Sequence, residues 1–109
     1  MLIARALVHR PEALMLDEPT RGLDLVARHA FMERVRAIAR EGTTILLVTH
    51  HVDEIIPEIE RVILMRHGRV ASDGPKGAVL TDGRLSDAFD APVSVEESKG
   101  YYHVRVRGD

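Results

Sequence analysis

The sequence predicts an α/β fold built on a parallel sheet, because two apolar runs flank a stretch with helical periodicity. The first run, residues 13–16, stops at the adjacent carboxylates Asp17 and Glu18, and the second, residues 43–49, stops at His50. Apolar strands joined by a helix predict a crossover connection, parallel pairing and cover on both faces of the strands. Ligands bind beyond the carboxyl ends of such strands. We therefore expect Asp17, Glu18 and His50 to lie at one edge of the sheet, within reach of one ligand.

The helix between the two runs is predicted for residues 24–41. Asp24 is placed to cap its first turn, and Gly42 is placed to close its end. Apolar residues recur at three- and four-residue spacing, which indicates an amphipathic helix; they are Ala27, Ala30, Phe31, Val35 and Ile38. The charged residues that fall largely on the opposite, solvent-facing side are Arg28, Glu33, Arg36 and Arg40.

The remaining elements are shorter. Residues 2–9 are expected to end a helix before Pro11, and a short helix is expected after His50 that breaks near Pro57. Strands at 62–65 and 70–71 flank a predicted turn at His67-Gly68, and residues 73–75 predict another turn. Residues 76–90 have a weak helical pattern with Leu85, Ala88 and Phe89 on one face. Alternation on both sides of residues 98–100 predicts a terminal hairpin.

Length and composition restrict the class of protein. With 109 residues, 45% hydrophobic and 29% charged, the chain is expected to form one domain of an ordinary soluble protein. A net charge of -2 gives no electrostatic footprint for nucleic acid, and we expect no nucleic-acid partner. The sequence has no cysteine, which suits a reducing cytosol. No signal peptide or membrane span is predicted.

Three motifs in order give the chain a resemblance to a known family. The segment from Leu14 to Thr20, with Asp17-Glu18-Pro19-Thr20 at its end, resembles a Walker B segment. Gly22-Leu23-Asp24 resembles a D-loop, and Val48-Thr49-His50 resembles an H-loop. Together they are similar to the second half of the nucleotide-binding domain of ABC-type ATPases, and the likeness extends over roughly the first two-thirds of the chain.

This resemblance implies a fold and a division of the chain. The fold would be a partial P-loop NTPase of the RecA-like, ABC type, with a parallel sheet, flanking helices and a C-terminal β-hairpin. Residues 1–92 would be the C-terminal part of an ABC ATPase domain that lacks the phosphate loop and the signature motif. Residues 93–109 would be a hairpin extension.

The resemblance also implies roles for the site residues, with ATP and Mg²⁺ as cofactors. Asp17 would hold Mg²⁺ through its hydration shell, because magnesium prefers oxygen ligands and keeps several waters. Glu18 would be the general base for the attacking water, and His50 would contact the terminal phosphate and link it to Glu18. By this resemblance, Asp17, Glu18 and His50 would all contribute to the nucleotide-binding site.

The D-loop residues would form a dimer interface. In the family, two ATP-binding subunits pair head to tail around each ATP, and the residues here that would cross that interface are Gly22, Leu23 and Asp24. The chain departs from the commonest D-loop, because Arg21 and Gly22 replace two small residues. The role of Arg21 is therefore open.

The phosphate loop itself is missing from this sequence. It contains no G-x-x-x-x-G-K-S/T motif, and its two lysines, Lys76 and Lys99, lie outside any such loop. Without backbone N–H groups to cradle phosphates, the chain alone is expected not to hydrolyse ATP. An absent neighbouring strand would also leave unpaired sheet edges, so we expect self-association or exchange of elements with a second copy.

Several functional readings stay open. The favoured one is an ATP-hydrolysing transporter subunit, cytoplasmic and peripheral at the inner face of the membrane, with a transmembrane permease as partner. The alternatives are a soluble ABC ATPase of the repair or translation type and a non-catalytic remnant that binds an intact ATPase. A simpler interpretation is that Asp17 and Glu18 only satisfy a turn and that Asp24 only caps a helix. Another is that His50, His51 and Glu54 bind zinc.

Overall fold

A computed structural model describes residues 13–108 and divides the chain into two compact units, residues 1–58 and residues 59–109. The helix expected at residues 2–9 lies outside the described residues. None of the helices within residues 13–108 is long and apolar enough to cross a membrane. The division of function between residues 1–92 and 93–109 stays a prediction.

The first unit contains the strand–helix–strand arrangement that the sequence predicts. Strand β1 (Ala13–Asp17) is followed by helix α1 (Leu25–Arg40) and strand β2 (Thr44–Val48). The two strands pair in parallel, with Ala13 opposite Thr44 and Asp17 opposite Val48. A single 3-10 turn (Val52–Glu54) forms where a short helix was expected. Because the strands are parallel and in register, both end at the same edge.

The two faces of the β1–β2 pair differ in burial. Leu14 and Leu16 point to the buried face, where the core of this unit also contains Met32, Val35, Ile38, Ile55 and Ile56. On the other face, Met15, Leu46 and Val48 are exposed. The expectation that both faces are covered is therefore wrong for the part of the chain that the structure describes. The alternation of buried and exposed positions follows from the two-residue period of a strand.

Helix α1 has the predicted ends, and its buried face agrees with the prediction at Val35 and Ile38 but not toward the N-terminus. The Asp24 carboxylate accepts a hydrogen bond from the Ala27 backbone N–H at 2.8 Å, which is an N-cap. Gly42 follows the helix with a φ of 102°, a conformation that glycine adopts without steric cost. Met32 is buried, whereas Ala27 and Ala30, which the pattern placed inside, are exposed.

The basic residues of α1 do not all face solvent as expected. Arg36 binds both oxygens of Glu58 through its Nε, at 2.9 and 3.2 Å, and Arg40 Nε binds Oε2 at 3.1 Å. Arg28 Nε likewise donates a hydrogen bond to the Glu54 carboxylate, at 3.0 Å. The physical reason is that a long arginine side chain at the border of a buried stripe can reach acids on the neighbouring loop.

The second unit begins with an antiparallel hairpin. Strand β3 (Arg61–Arg66) pairs with β4 (Arg69–Pro75), and the turn residues His67 and Gly68 both have positive φ, at 51° and 73°. This is the pattern of a two-residue hairpin turn, as predicted. The turn predicted at residues 73–75 is wrong, because these residues are the end of β4 and pair with β3.

Two short helices and a second hairpin complete this unit. The helical pattern at 76–90 divides into α2 (Lys76–Val79) and α3 (Asp82–Phe89), and the terminal hairpin consists of β5 (Val93–Ser98) and β6 (Tyr101–Val106). The core residues here are Val79, Leu80, Leu85 and Val93. Phe89, which the sequence pattern assigns to the same face as Leu85, is 46% exposed. The described residues thus form three two-stranded sheets, of which only β1–β2 is parallel.

Candidate functional site

The chain reverses direction immediately after β1, and this turn sets the direction of Glu18. Its φ is 45°, in the left-handed region, which costs about 1 kcal/mol for a residue with a side chain. Its backbone N–H donates to the Val48 carbonyl at 2.8 Å, which ties the turn to the end of β2. Strain of this kind at the end of a strand is typical of functional sites.

Glu18 and His50 meet at this edge. His50 Nε2 lies 2.8 Å from Glu18 Oε1, although the two residues are 32 positions apart in sequence. The Glu18 side chain is 22% exposed and the His50 side chain 86% exposed, so the imidazole lies on the solvent side of the carboxylate. The structure therefore brings together two of the three residues that the sequence placed at this edge.

Arg21 contacts the second oxygen of Glu18. Its Nη2 donates to Glu18 Oε2 at 2.7 Å, and the Arg21 side chain itself is largely exposed. The departure from the commonest D-loop thus has a structural consequence, since it places a guanidinium on the carboxylate that faces His50. Arg21 therefore holds Oε2 of Glu18, whereas Oε1 is buried, lies 2.8 Å from His50 Nε2 and accepts no hydrogen bond from the described residues.

Asp17 occupies a different position from Glu18. It is the last residue of β1, pairs with Val48 in the sheet register and is exposed on the open face. Its carboxylate offers oxygen ligands to solvent at a strand end, and this donor type fits a hard divalent cation such as Mg²⁺. Asp17 does not line the pocket that contains Glu18 and His50.

A pocket of about 390 Å³ lies at the same edge. Its walls come from the loop after β1, from the loop after β2, and from Glu54 on the 3-10 turn. Charged and polar groups of both loops converge on it, among them Glu18, Arg21 and His50. A concave site with convergent polar groups is the default candidate for ligand binding.

The D-loop segment leads into α1, and Gly22 is its residue that lines this pocket. Gly22 has a φ of 83°, which the turn requires and which a residue with a side chain adopts only with strain. Leu23 is exposed, and its backbone N–H donates to the Thr20 carbonyl at 3.0 Å. Asp24 uses one carboxylate oxygen for the helix cap, and the carboxylate retains further acceptor sites.

The environment of Glu54 does not fit the zinc site that the sequence left open. Glu54 is buried and binds two threonines and an arginine, and it does not converge with His50 and His51 on a common point. Within residues 13–108, no group of three or more His, Asp or Glu side chains could hold a metal ion. The sequence pattern indicates Glu54 only as a possible zinc ligand and gives no separate role to Thr20 or Thr49. The available signal is the hydroxyl residue within each of the two motifs, the Walker B segment and the H-loop.

The chain is similar in sequence to known ATP-binding proteins. YlmA of Bacillus subtilis, an uncharacterized ABC transporter ATP-binding protein, is 44% identical over 96 residues, which are 86% of this chain and 36% of YlmA. The hemin import ATP-binding protein HmuV of Streptomyces coelicolor is 39% identical over 93 residues, or 85% of this chain and 33% of HmuV. No protein-family model matches the sequence.

Two solved structures are similar in fold. A metal-chelate type ABC transporter in an inward-facing conformation matches with a TM-score of 0.77 and 22% identity, over 95% of this chain and 42% of that one. The protein cbiO1 of Clostridium perfringens, part of the ABC transporter complex cbiONQ, matches with a TM-score of 0.59 and 34% identity, over 78% of this chain and 34% of that one.

Fold and site together define the class: the chain is part of a P-loop NTPase domain of the ABC type, as the sequence predicts. More specifically, its homologues are ABC transporter ATP-binding proteins, and the chain matches a part of them. The chain spans about a third of the length of the curated relatives it matches, 36% in the case of YlmA.

Proposed function

We propose that this chain provides the water-activating and metal-ligating part of an ATP-hydrolysing subunit of an ABC transporter. The observation that carries the proposal is the 2.8 Å contact between His50 Nε2 and Glu18 Oε1 at the carboxyl edge of two parallel strands. The names of the relatives support ATP as the nucleotide, since both are ATP-binding proteins.

Glu18 acts in this proposal as the general base. A general base needs a free lone pair within hydrogen-bond distance of the attacking water, and Glu18 Oε1 is a buried oxygen that accepts no hydrogen bond from the described residues. In this proposal His50, whose Nε2 lies 2.8 Å from Oε1, orients Glu18 and also contacts the terminal phosphate. Arg21 supports the same orientation from Oε2.

Asp17 is the proposed magnesium ligand. Mg²⁺, when bound, neutralises phosphate oxygens and favours phosphoryl transfer. Asp17 is exposed at the strand end and contributes oxygen donors, and it would hold the ion through water molecules. The ion and the base would then be held by consecutive residues, Asp17 at the end of β1 and Glu18 in the turn that follows it.

The proposal includes two protein partners. A second ATP-binding subunit would pack against Gly22, Leu23 and Asp24, two of which, Gly22 and Leu23, are exposed and free of capping contacts. A transmembrane permease would hold the protein at the cytoplasmic face of the membrane. The solved relative cbiO1, part of the cbiONQ transporter complex, supports an assembly of this kind.

The test compares Glu18→Gln with Glu60→Gln in the native protein purified from its own cells. Glu18→Gln should lower kcat at least about 100-fold, with Mg-ATP binding little changed, because only the base is lost. Glu60 is exposed and outside the pocket, so its variant should hydrolyse ATP at the wild-type rate. Equal kcat values for the two variants would reject the proposal.

The polypeptide of residues 1–109 provides a second test. It has no phosphate loop, so isothermal titration with Mg-ATP should show no tight binding, and no turnover should be measurable. Tight binding would show that residues 1–109 hold the phosphates without a phosphate loop. The assignment of phosphate binding to that loop would then be wrong.

A further inference from the structure

The carboxylate of Glu54 is buried, and this is unusual for an acid unless it is paired. Its side chain is 2% exposed and lies on the 3-10 turn that follows the H-loop. Arg28 Nε donates to Oε2 at 3.0 Å and provides the compensating charge. The Arg28 Nη2 group is further held by Asp53 at 2.9 Å, which fixes the guanidinium in place.

Two threonine hydroxyls complete the surroundings of this carboxylate. Thr49 Oγ1 donates to Glu54 Oε1 at 2.5 Å, and Thr20 Oγ1 donates to Oε2. Each oxygen therefore has at least one donor, as a buried anion requires. The three donors come from three different segments: the loop after β1, helix α1 and the loop after β2.

These contacts continue directly to the two residues of the proposed chemistry. Thr20 is two residues after Glu18, and Thr49 immediately precedes His50. The Thr49 hydroxyl also accepts a hydrogen bond from the His51 backbone N–H at 3.0 Å. The Thr49 hydroxyl thus holds the backbone that follows His50, and Glu54 fixes the direction of that hydroxyl.

We propose that Glu54 is a positioning residue: its buried carboxylate binds the Glu18 loop to the His50 loop and so holds the base and the imidazole at contact distance. The inference rests on the proposed ATPase function for its catalytic consequence, and on the hydrogen bonds alone for its structural one. Glu54 does not touch the reacting atoms in this assignment, and it acts through Thr20 and Thr49.

The structural consequence is measured without ATP, by hydrogen exchange of the His51 amide in the 109-residue chain. In Glu54→Gln, an amide N–H2 group replaces one acceptor oxygen, so the arginine and the hydroxyls compete for a single acceptor. We expect the His51 amide to exchange at least about 10-fold faster than in wild type, while amides within α1 are unchanged. An unchanged His51 rate would overturn the proposal.

The catalytic consequence is measured as kcat of the native protein. Glu54→Gln should lower kcat about 10- to 100-fold with KM for Mg-ATP changed by less than about threefold, since misplacement of a catalytic group affects the transition state. Combined with His50→Ala, the same change should have little further effect. Additive losses in this double-mutant cycle would mean that Glu54 does not act through His50, and would overturn the proposal.

Two matched variants of Thr49 distinguish a loss of positioning from a folding defect. Thr49→Val keeps the shape but removes the donor to Glu54, whereas Thr49→Ser keeps the hydroxyl. We expect the valine variant to lose kcat like Glu54→Gln and the serine variant to stay near wild type, both with wild-type thermal unfolding to within a few degrees. Equal activity of the two variants would contradict the proposal. If the wild-type protein hydrolyses no ATP, the proposed function fails, and His51 exchange still decides the positioning role.

Discussion

Glu58 is the acid whose charge contributes most clearly to the stability of the first unit. Arg36 binds both of its oxygens, with Nη2 on Oε2 at 3.0 Å, and Arg40 adds a bond at 3.1 Å. The hydrogen bond from Arg36, opposed by desolvation and assisted by Arg40, lowers the pKa of Glu58 from 4.5 to about 2. Removal of this charge in Glu58→Gln is therefore a test of the ion cluster.

The magnitude follows from linkage. A pKa difference of this size corresponds to at most about 3 kcal/mol of stability at neutral pH. Arg40 is more than half exposed, so solvent screening reduces the contribution, and we expect about 1–2 kcal/mol. Because the folded-state pKa is the lower one, the contribution is complete above pH 4.5 and is lost as the pH falls toward 2.

Urea unfolding at several pH values measures this contribution. The free-energy difference between wild type and Glu58→Gln should be greatest at pH 6–7 and should fall to about half or less by pH 3. Glu60→Gln, which removes an exposed acid, should differ from wild type by less than about 0.5 kcal/mol throughout. A Glu58→Gln difference that is zero at pH 7, or constant from pH 7 to 3, would refute the reasoning.

Two further predictions concern the elements that carry the site. Leu16→Ala should lower the unfolding free energy by about 3 kcal/mol, because the side chain is 2% exposed. Met15→Ala, at a neighbouring residue that is 54% exposed, should cost less than about 1 kcal/mol, and equal effects in urea unfolding would contradict the assigned faces. Asp24→Ala should cost about 1 kcal/mol through loss of the helix cap, whereas Asp24→Asn keeps an acceptor and should cost little. A loss with asparagine as large as that with alanine would show that the charge, and not the cap, is responsible.

The strands and helix ends of the first unit were predictable because their signals are local. The apolar runs, the Asp24 cap and the Gly42 stop each depend on a few adjacent residues, and all three appear in the structure. Parallel pairing then follows from the length of the connection, which is too long for a hairpin. The edge that collects Glu18 and His50 was therefore predictable from sequence.

The errors occur where the outcome depends on tertiary contacts. The turn predicted at Asp73-Gly74-Pro75 is a strand, because Pro75 is the last residue of β4, where the missing N–H costs little. Arg28 was assigned to solvent, but its acid partner is 26 residues away, on a turn whose position no local pattern gives. The single helical pattern expected over residues 76–90 is divided in two, and its second helix, Asp82–Phe89, has only eight residues.

The adjacent acids at the end of β1 show how the backbone separates two roles that the sequence leaves together. Successive residues of a strand point to opposite faces, so Asp17 lies on the open face with Met15 and Val48. Continuation of the strand would direct Glu18 into the buried face, beside Leu16. The left-handed φ of Glu18 ends the strand and turns the carboxylate to His50 at the edge. The hydrogen bond from the Glu18 backbone N–H to the Val48 carbonyl offsets the cost of that conformation. As a result, Asp17 lies on the open face of the strand pair and Glu18 lines the pocket.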